Sequence, residues 1–340
     1  MPLPRPTLLD LAREAGVSSA TVDRVINNRH GVRPRTREVV LATARRLGYL
    51  PDGAAEAPSR PLRFTVLLPA GANLFMATLQ RQIEAQAAER PELEVQVELI
   101  EGFNPESLGR RLDAVAPGTD GLGLVALDHP LVREAIRRLA QRGVKVVTLA
   151  SDVQNVPRMA YVGIDNRQAG RLAGYVMGRF LTGREAPKVA FLAGSRFYRG
   201  HEEREMGFRS VLAEDVPQAR LVEQRESMDD PDRAHAEMLA VLDAHPDLAA
   251  IYNAGAGNIG IARALAERSL TGRVVLIGHE ATEDNKRLIL DGALDAVIDQ
   301  NPRVEAREAL NALARAAREE PYALVPPRLA IVFRENLPED

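Results

Sequence analysis

Apolar residues recur with a helical period in three short stretches of the first fifty residues. The apolar positions are Leu8, Leu11, Ala12 and Ala15, then Val22, Val25 and Ile26, then Val39, Val40, Ala44 and Leu47. Thr7 can cap the first of the three predicted helices, and Gly16 ends it. Ser18 can cap the second, over residues 19–27, and the third follows Pro34. Only a short turn with glycine separates the first two helices, which predicts a helix-turn-helix unit.

The outer face of the second predicted helix is small and polar. Its outward positions are Ser19, Ala20, Asp23, Arg24 and Asn27. A face of this kind can enter the major groove of DNA, where short and polar side chains reach the base edges. We therefore predict an all-α DNA-binding head over residues 1–50. The alternative is a three-helix scaffold whose charged side chains are merely solvated.

Apolar runs of strand length alternate with amphipathic stretches from residue 62 onward. The runs are LRFTVLLP, LEVQVELI, GLGLVAL, VKVVTLA, KVAFLA, LAAIYNA, RVVLIG and AVIDQ. This β-α alternation predicts parallel sheets with helices on both faces. About 280 residues in this pattern exceed one doubly wound sheet. We therefore predict an α/β body over residues 62–340, with two similar lobes that each contain a doubly wound parallel sheet.

Residues 51–61 are predicted to form a hinge or linker between head and body. The stretch PDGAAEAPSRPLR is rich in Pro, Gly and Ala and has no apolar periodicity. The head and the body are therefore expected to be mechanically separable.

Charge is distributed unevenly along the chain. Residues 1–50 hold nine arginines against four acidic residues, whereas the whole chain carries a net charge of −3. A basic head on an acidic body suggests that the head alone meets a polyanion. The chain has no cysteine, which excludes disulfides and cysteine nucleophiles. No apolar run has the length of a signal peptide or a membrane span, so we expect a cytoplasmic protein without a membrane partner.

Hydrogen-bonding side chains follow the predicted strands of the body, where ligands bind in doubly wound sheets. They are Asn73, Ser151, Asp152, Asn253, His279, Glu280 and Gln300, and they are joined by the aromatic Phe75. Carboxylates and amides can each bind two vicinal hydroxyls, and an aromatic ring can stack on the apolar face of a sugar. The set therefore predicts a polyhydroxylated ligand, a sugar or a polyol.

The run TLLDLAREAGVSSATVDRVINNRHGVRPRTREVVLATARRLGYLPD closely resembles the DNA-binding head of the LacI (lactose repressor) family. The resemblance implies that Ser19 and Ala20 read bases and that Arg24 also faces the groove. Two positions depart from the family: Asp23 replaces a serine, and Arg33 replaces a serine that caps the third helix. Asp23 could accept from a cytosine amino group or repel phosphate, and Arg33 could contact a phosphate.

The resemblance also implies a role for the linker, which in this family forms a short hinge helix whose leucine wedges into the minor groove. Pro58 occupies the leucine position here, after a turn that can run through Ala55. A flexible tether that never orders is the alternative. The full set of predicted DNA contacts is Thr7, Ser18, Ser19, Ala20, Asp23, Arg24, Asn27, Arg33, Ala55 and Pro58.

The body resembles the effector domain of the same family, which shares the fold of type I periplasmic sugar-binding proteins. In the segment EEREMGFRSVL, the arginine three residues before the glycine is Arg204, and the resemblance implies that it contacts the sugar. It implies further effector contacts from Asn73, Phe75, Asp152, Glu280 and Gln300. The family's Asn-Asp pair after the strand LAAIY is replaced by NAGAGN, so either Asn253 or Asn258 could supply that contact.

A competing motif favours an enzyme. Residues 255–260 form GxGxxG between a predicted strand and helix, with Glu280 about 25 residues after the start of the motif, as in nicotinamide-dinucleotide sites. The alternative is a tight turn that lets the helix begin close to a sugar. No zinc, phosphate-loop or serine-nucleophile motif occurs, so we predict no catalytic residue, metal or cofactor. His201 and His279 could touch a ligand or serve in the core or at the surface.

These patterns together predict a bacterial transcription regulator that binds operator DNA as a homodimer and responds to a sugar or polyol effector. Two-fold symmetry doubles the few base contacts of one head, so we expect a roughly palindromic operator. Effector binding is expected to close the lobes around Asp152, Arg204 and Glu280 and to shift the two heads. The alternatives are a nicotinamide-dinucleotide-binding oxidoreductase and a sugar-binding protein without regulation.

Overall fold

The computed structural model describes residues 6–26, 32–47, 49 and 60–338. The chain divides into two compact units, Met1–Arg60 and Pro61–Asp340, which we call the head and the body. Three predicted DNA contacts, Asn27, Ala55 and Pro58, lie outside the described residues.

The described residues of the head form three helices: α1 (Leu8–Ala15), α2 (Ser19–Ile26) and α3 (Pro34–Arg46). Thr7 and Asp10 form a capping box at the start of α1, and Gly16 ends this helix with a φ of 66°. The Ser18 hydroxyl accepts from the backbone N–H of Thr21 at 3.2 Å, which caps α2. The helices pack around Leu11, Ala12, Val22, Val25, Val40 and Ala44. The helical periodicity and both predicted caps are confirmed.

Strands and helices alternate through the body. The strands are β1 (Leu62–Ala70), β2 (Leu93–Glu101), β3 (Gly121–Leu124), β4 (Lys145–Leu149), β5 (Ala160–Val162), β6 (Lys188–Ala193), β7 (Arg220–Glu226), β8 (Leu248–Asn253), β9 (Val275–His279), β10 (Ala296–Asp299) and β11 (Ala330–Val332). The helices are α4 (Leu74–Ala88), α5 (Pro105–Asp113), α6 (Pro130–Gln141), α7 (Asn166–Phe180), α8 (Arg199–Asp215), α9 (Pro231–Ala244), α10 (Asn258–Glu267), α11 (Glu283–Leu290) and α12 (Pro302–Ala317), followed by a 3-10 turn, Arg334–Asn336.

The strands form two sheets, and each sheet is the centre of a lobe. The first lobe has the order β2-β1-β3-β4-β5, with all pairs parallel. The second has the order β11-β10-β9-β8-β6-β7, in which only the β10–β11 pair is antiparallel. Helices cover both faces, so β3 and β8 are buried along their whole length. The two predicted doubly wound parallel sheets are confirmed.

The chain passes between the lobes three times: from β5 to α7, from β10 to α12, and from α12 to β11. Helix α12 follows a strand of the second lobe but packs on the first, where Ala306, Leu310 and Leu313 join the core. The lobes are therefore interleaved in sequence, and a movement of one against the other must bend all three connections.

No helix among the described residues is long and apolar enough to cross a membrane. In the same part of the chain, no group of three or more His, Asp or Glu side chains is placed to hold a metal ion.

Candidate functional site

The outer face of α2 is exposed on the head. Val22 and Val25 of this helix are buried in the core, which turns the opposite face outward. Among the predicted contacts, Asp23 is half-buried and the exposed residues are Thr7, Ser18, Ser19, Ala20, Arg24 and Arg33. A short helix that presents small residues and one arginine has the shape and chemistry that a major groove accommodates.

A cavity opens between the two lobes of the body, at the carboxyl ends of the strands. Its volume is about 100 Å³, and about 890 Å³ when the space at its mouth that is open to solvent is included. Its walls come from the loops after β1, β3, β4, β7, β8, β9 and β10 and from the start of α8. The predicted effector contacts that line it are Asn73, Phe75, Arg204, Asn258, Glu280 and Gln300. Asp152 and Asn253 are not among its lining residues.

Asn73 connects the two lobes at the cavity. It caps α4, because its Oδ1 accepts from the N–H groups of Phe75 at 3.0 Å and Met76 at 3.4 Å. Its Nδ2 donates to Oδ2 of Asp229 in the second lobe at 2.8 Å. The Oδ1 atom of Asp229 accepts from the N–H of Ala256 at 2.9 Å. The Asn73 amide therefore links α4 of the first lobe to Asp229 of the second lobe across the cavity wall.

Asp152 pairs with Arg158 instead of lining the cavity. Its carboxylate accepts from Nε of Arg158 at 2.6 Å, from Nη2 of the same residue, and from the Thr148 hydroxyl at 2.7 Å. A bidentate guanidinium thus occupies both oxygens, and the structure does not bring Asp152 to the ligand position expected for it. The neighbouring Ser151 takes that place: it is buried, lines the cavity, and accepts from the N–H of Gly200 at 3.3 Å.

Arg204 is a buried cation in the cavity wall, with 5% of its surface exposed. Its Nε donates to Oδ1 of Asn166 at 2.8 Å, and its Nη1 donates to the carbonyl oxygen of Ala254 at 2.7 Å. Close packing of α7 on α8 fixes its backbone, since a Cβ at Gly170 would lie 1.9 Å from the Arg204 carbonyl oxygen. Its two observed partners are neutral oxygens.

Three asparagines form a chain of hydrogen bonds in the second lobe. Asn253 donates to Oδ1 of Asn258 at 2.8 Å, and Asn258 donates to Oδ1 of Asn285 at 3.1 Å. Asn285 then donates to the carbonyl oxygens of His279 and Glu280, both at 2.8 Å. The side chains of Asn253 and Asn258, which the sequence offered as alternative ligand contacts, bind each other. The chain of amides ends on the loop that carries Glu280, which it positions.

Glu280 has a left-handed backbone, with a φ of 69°, and its carboxyl group is buried although the residue is partly exposed. Its Oε1 accepts from Nε2 of Gln300 at 2.6 Å. Its Oε2 and the Gln300 Oε1 have no hydrogen-bond partner among the described residues. Burial raises the pKa of Glu280 to about 8, Asp299 adds to the rise, and Arg204 opposes it. The carboxyl group therefore holds its proton at neutral pH, on Oε2.

Two histidines line the cavity. Nδ1 of His201 lies 3.0 Å from the carbonyl oxygen of Ser195, and burial lowers the pKa of this imidazole to about 4. Nε2 of His279 lies 2.8 Å from the Tyr252 hydroxyl, and its Nδ1 has no partner among the described residues. Burial lowers the pKa of His279, and Arg204 lowers it further. Both imidazoles are therefore neutral at pH 7.

The three glycines of the GxGxxG motif have packing roles. A Cβ at Gly260 would lie 1.9 Å from the carbonyl oxygen of Pro231, where α10 crosses α9. A Cβ at Gly255 would lie 2.5 Å from the nitrogen of Gly194, and Gly257 has a φ of 99°. Close backbone approach and a left-handed turn thus account for the motif, in line with the alternative of a tight turn before the helix.

Sequence reasoning missed several polar residues of this region. Asp229 lines the cavity with a φ of 55°, just after the unpredicted strand β7. The sequence feature that could have predicted Asp229 is the pair of acids, Asp229 and Asp230, directly before Pro231 at the start of a helix. Glu305 lies in the first turn of α12, is fully buried, and has no partner for either oxygen among the described residues. Burial, and then Glu280, raise the pKa of Glu305 well above its ordinary value.

These two units define a class of protein: a helix-turn-helix head attached to a two-lobed α/β body with a polar cavity between its lobes. Residues 7–52 match the lacI family of bacterial regulatory proteins, and residues 64–321 match the periplasmic binding protein domain. The chain belongs to the LacI family of bacterial regulatory proteins.

Proteins with similar sequences are named as a transcriptional regulator and as a catabolite control protein. The chain is 30% identical over 296 residues to the HTH-type transcriptional regulator CelR of Thermobifida fusca. This match covers 81% of this chain and 82% of CelR. It is 30% identical over 213 residues to catabolite control protein A of Priestia megaterium. That match spans 61% of the length of each protein.

Solved structures show the fold of the body. The chain superposes on GanP, a glucose-galactose binding protein from Geobacillus stearothermophilus, with a TM-score of 0.76 and 22% identity. The superposition covers 83% of this chain and 100% of GanP. The body therefore has the type I periplasmic binding protein fold.

Proposed function

We propose that this chain is a DNA-binding transcription regulator whose affinity for its operator changes when a sugar or polyol binds between the lobes of the body. One observation carries the proposal: an exposed, groove-sized α2 face on the head occurs in the same chain as a polar cavity in the body. A carrier of sugars would have no use for the first feature, and a constitutive DNA-binding protein would have no use for the second.

The cavity suits a ligand with several hydroxyl groups. The Gln300 Oε1 can accept a hydrogen bond, and Oε2 of Glu280 is also without a protein partner among the described residues. Phe75 supplies an aromatic side chain in the same wall. Buried polar atoms without partners are costly, so a ligand that satisfies them gains binding free energy and specificity.

The regulator is proposed to act as a homodimer in the cytoplasm, where the chromosome lies. One head offers few side chains to base edges, and two heads related by a two-fold axis double the contacts and read a roughly palindromic site. The oligomeric state can be measured by sedimentation velocity with and without operator DNA.

Ligand control is proposed to act through the relative position of the lobes. Several contacts join the lobes around the cavity, among them Asn73 to Asp229 at 2.8 Å, the N–H of Gly200 to Ser151 at 3.3 Å, and the N–H of Asp128 to the Phe197 carbonyl oxygen at 2.8 Å. A ligand that touches both walls adds to these contacts and stabilises the closed arrangement. By linkage, effector and operator must then change each other's affinity by the same factor.

A two-stage experiment tests the proposal. Selection from random DNA duplexes should yield a palindromic site that the full chain binds more tightly than competitor DNA. A thermal-shift screen of sugars, polyols and nicotinamide nucleotides should then find a stabilising sugar or polyol that changes operator affinity. Glu280→Ala should abolish that stabilisation, and Glu283→Ala, an exposed acid of the same region, should not. Stabilisation by a nicotinamide nucleotide alone, or no sequence preference in the selected DNA, would contradict the proposal.

A further inference from the structure

Arg204 has no ion-pair partner among the described residues, although Asp229 and Asp284 line the same cavity. The guanidinium is 95% buried and bonds two neutral oxygens, those of Asn166 and Ala254. No carboxylate of the described residues lies within 4.0 Å of it. Asp229 lines the same cavity, but its two oxygens accept from Ala256 and Asn73. A buried cation without an anionic partner is unfavourable, and its third nitrogen, Nη2, remains for a ligand.

His279 presents a second donor to the cavity. The Tyr252 hydroxyl has His279 Nε2 as its hydrogen-bond partner, at 2.8 Å. This buried hydroxyl has no other partner among the described residues, so its proton is satisfied only by donation to Nε2, and we assign that tautomer to His279. The neutral imidazole then carries its own proton on Nδ1, the atom that has no partner among the described residues. His279 therefore offers a buried N–H.

The start of α10 provides donors of the same kind. Its N-cap is Gly257, which has no side chain to accept from the first-turn N–H groups. Asn258 and Ile259, the first two residues of the helix, line the cavity with Gly257. The side chain of Asn258 is engaged with its two asparagine neighbours and does not cap the helix. The positive end of the helix dipole thus borders the space that Arg204 borders.

Glu280 and Gln300 offer the cavity one hydrogen-bond donor and one acceptor. Oε1 of Gln300 is an acceptor without a partner among the described residues, and a ligand hydroxyl can donate to it. Oε2 of Glu280 carries a proton at neutral pH, so it can donate. The cavity therefore combines a donor-rich wall of one guanidinium, one imidazole and one helix start with a place for hydroxyl groups.

We propose that the effector is an acidic sugar, a polyhydroxylated monocarboxylate of the uronic or aldonic acid class, whose carboxylate is bound by Arg204, His279 and the first turn of α10. This inference rests on the proposed function of the cavity as the effector site. A single carboxylate fits better than a phosphate ester, because the wall holds one guanidinium, that of Arg204, and the cavity is also lined by the acids Asp229 and Asp284.

Calorimetric titration of the full chain with matched ligand pairs tests this. The pairs are D-glucuronate with D-glucose, D-galacturonate with D-galactose, and D-gluconate with D-glucitol, and glucose 6-phosphate is a separate arm. At least one acid should bind about 10- to 150-fold more tightly than its neutral partner, the value of a charge-assisted hydrogen bond. Its affinity should fall as the pH rises through about 8, because ionised Glu280 would then repel the carboxylate.

Two variants probe the assigned groups. Arg204→Met should reduce the preference for the acid over its neutral partner to within about threefold, and circular dichroism checks its folding. Asp284→Asn, which removes one acid from the cavity lining and keeps its shape, should strengthen binding of the acid at least about threefold more than that of its neutral partner. This second variant decides the question if the first does not fold.

Three other outcomes of the titration would contradict the inference, and one of them would also contradict the proposed function. A neutral sugar that binds as tightly as its acid would refute the inference and leave the proposed function intact. Tighter binding of glucose 6-phosphate would replace the carboxylate with a phosphate ester. No binding of any acid, sugar or polyol would contradict both the inference and the sugar effector on which it rests.

Discussion

Replacing Glu280 with glutamine removes one buried carboxyl group and keeps its shape, so the variant isolates the contribution of that group to stability. Burial raises its pKa in the folded chain to about 8, from the ordinary 4.5. Below pH 4.5 the group is protonated in both the folded and the unfolded chain and makes no difference. Between pH 4.5 and about 8 the unfolded chain loses the proton and the folded chain keeps it.

The wild type should therefore lose stability relative to Glu280→Gln by about 1.4 kcal/mol per pH unit in that interval. The total reaches about 5 kcal/mol near pH 8, and it stays constant above that pH. The chain contains no tryptophan, so urea unfolding is best followed by far-ultraviolet circular dichroism, at about pH 5, 6.5 and 8. The predicted observation is a difference between the two proteins that grows with pH.

Glu283→Gln is the matched control, because Glu283 is an exposed acid near Glu280, paired with Lys286 at 3.0 Å. Its free energy of unfolding should stay within about 0.5 kcal/mol of the wild type at every pH. A difference between Glu280→Gln and the wild type that does not change between pH 5 and pH 8 would mean that Glu280 is ionised in the folded chain. The reasoning from burial would then be wrong.

Three further predictions concern packing, DNA and ligand. Gly260→Ala should destabilise the body by about 1–3 kcal/mol, because its Cβ would meet a carbonyl oxygen at 1.9 Å. Gly109→Ala is the control: its Cβ would lie 3.8 Å from the nearest atom, so it should be neutral or stabilising by up to about 1 kcal/mol. Equal shifts of the two variants in thermal unfolding would refute this. Arg24→Ala should relax base preference at one operator position by about 1–3 kcal/mol in competition binding, and unchanged selectivity would remove Arg24 from the reading face. Asn285→Ala should weaken effector binding about tenfold in calorimetry, since the loop of Glu280 loses two hydrogen bonds, and full affinity would show that the amide chain is dispensable.

Local signals in the sequence were sufficient for most secondary structure. Thr7 and Ser18 mark the starts of α1 and α2, because a capping hydrogen bond forms within a single turn and needs no distant partner. Continuous apolar runs became buried strands, because a parallel sheet is covered on both faces. The exceptions are informative: β7 is a half-buried edge strand, and β5 and β11 have three residues each, too few for a periodic pattern.

Strand ends also located much of the cavity. Glu280 and Gln300 follow neighbouring strands of the second sheet, and parallel strands end at the same edge of a sheet. Asn73 follows a strand of the first sheet and meets them because the cavity lies between the two lobes. The position was readable from the sequence, but the function of each side chain was not. Asp152 has the expected position and a different partner, Arg158, and Asn253 has a neighbouring amide for a partner.

The sequence by itself determined most of the helices and strands and several of the residues that stand at strand ends. Periodicity and caps depend on neighbours along the chain, so they can be read without the fold. The tertiary structure decided which polar groups pair, where α12 packs, that Glu280 holds a proton, and that Arg204 bonds neutral oxygens and no carboxylate of the described residues. These properties depend on burial and on groups that only folding brings together.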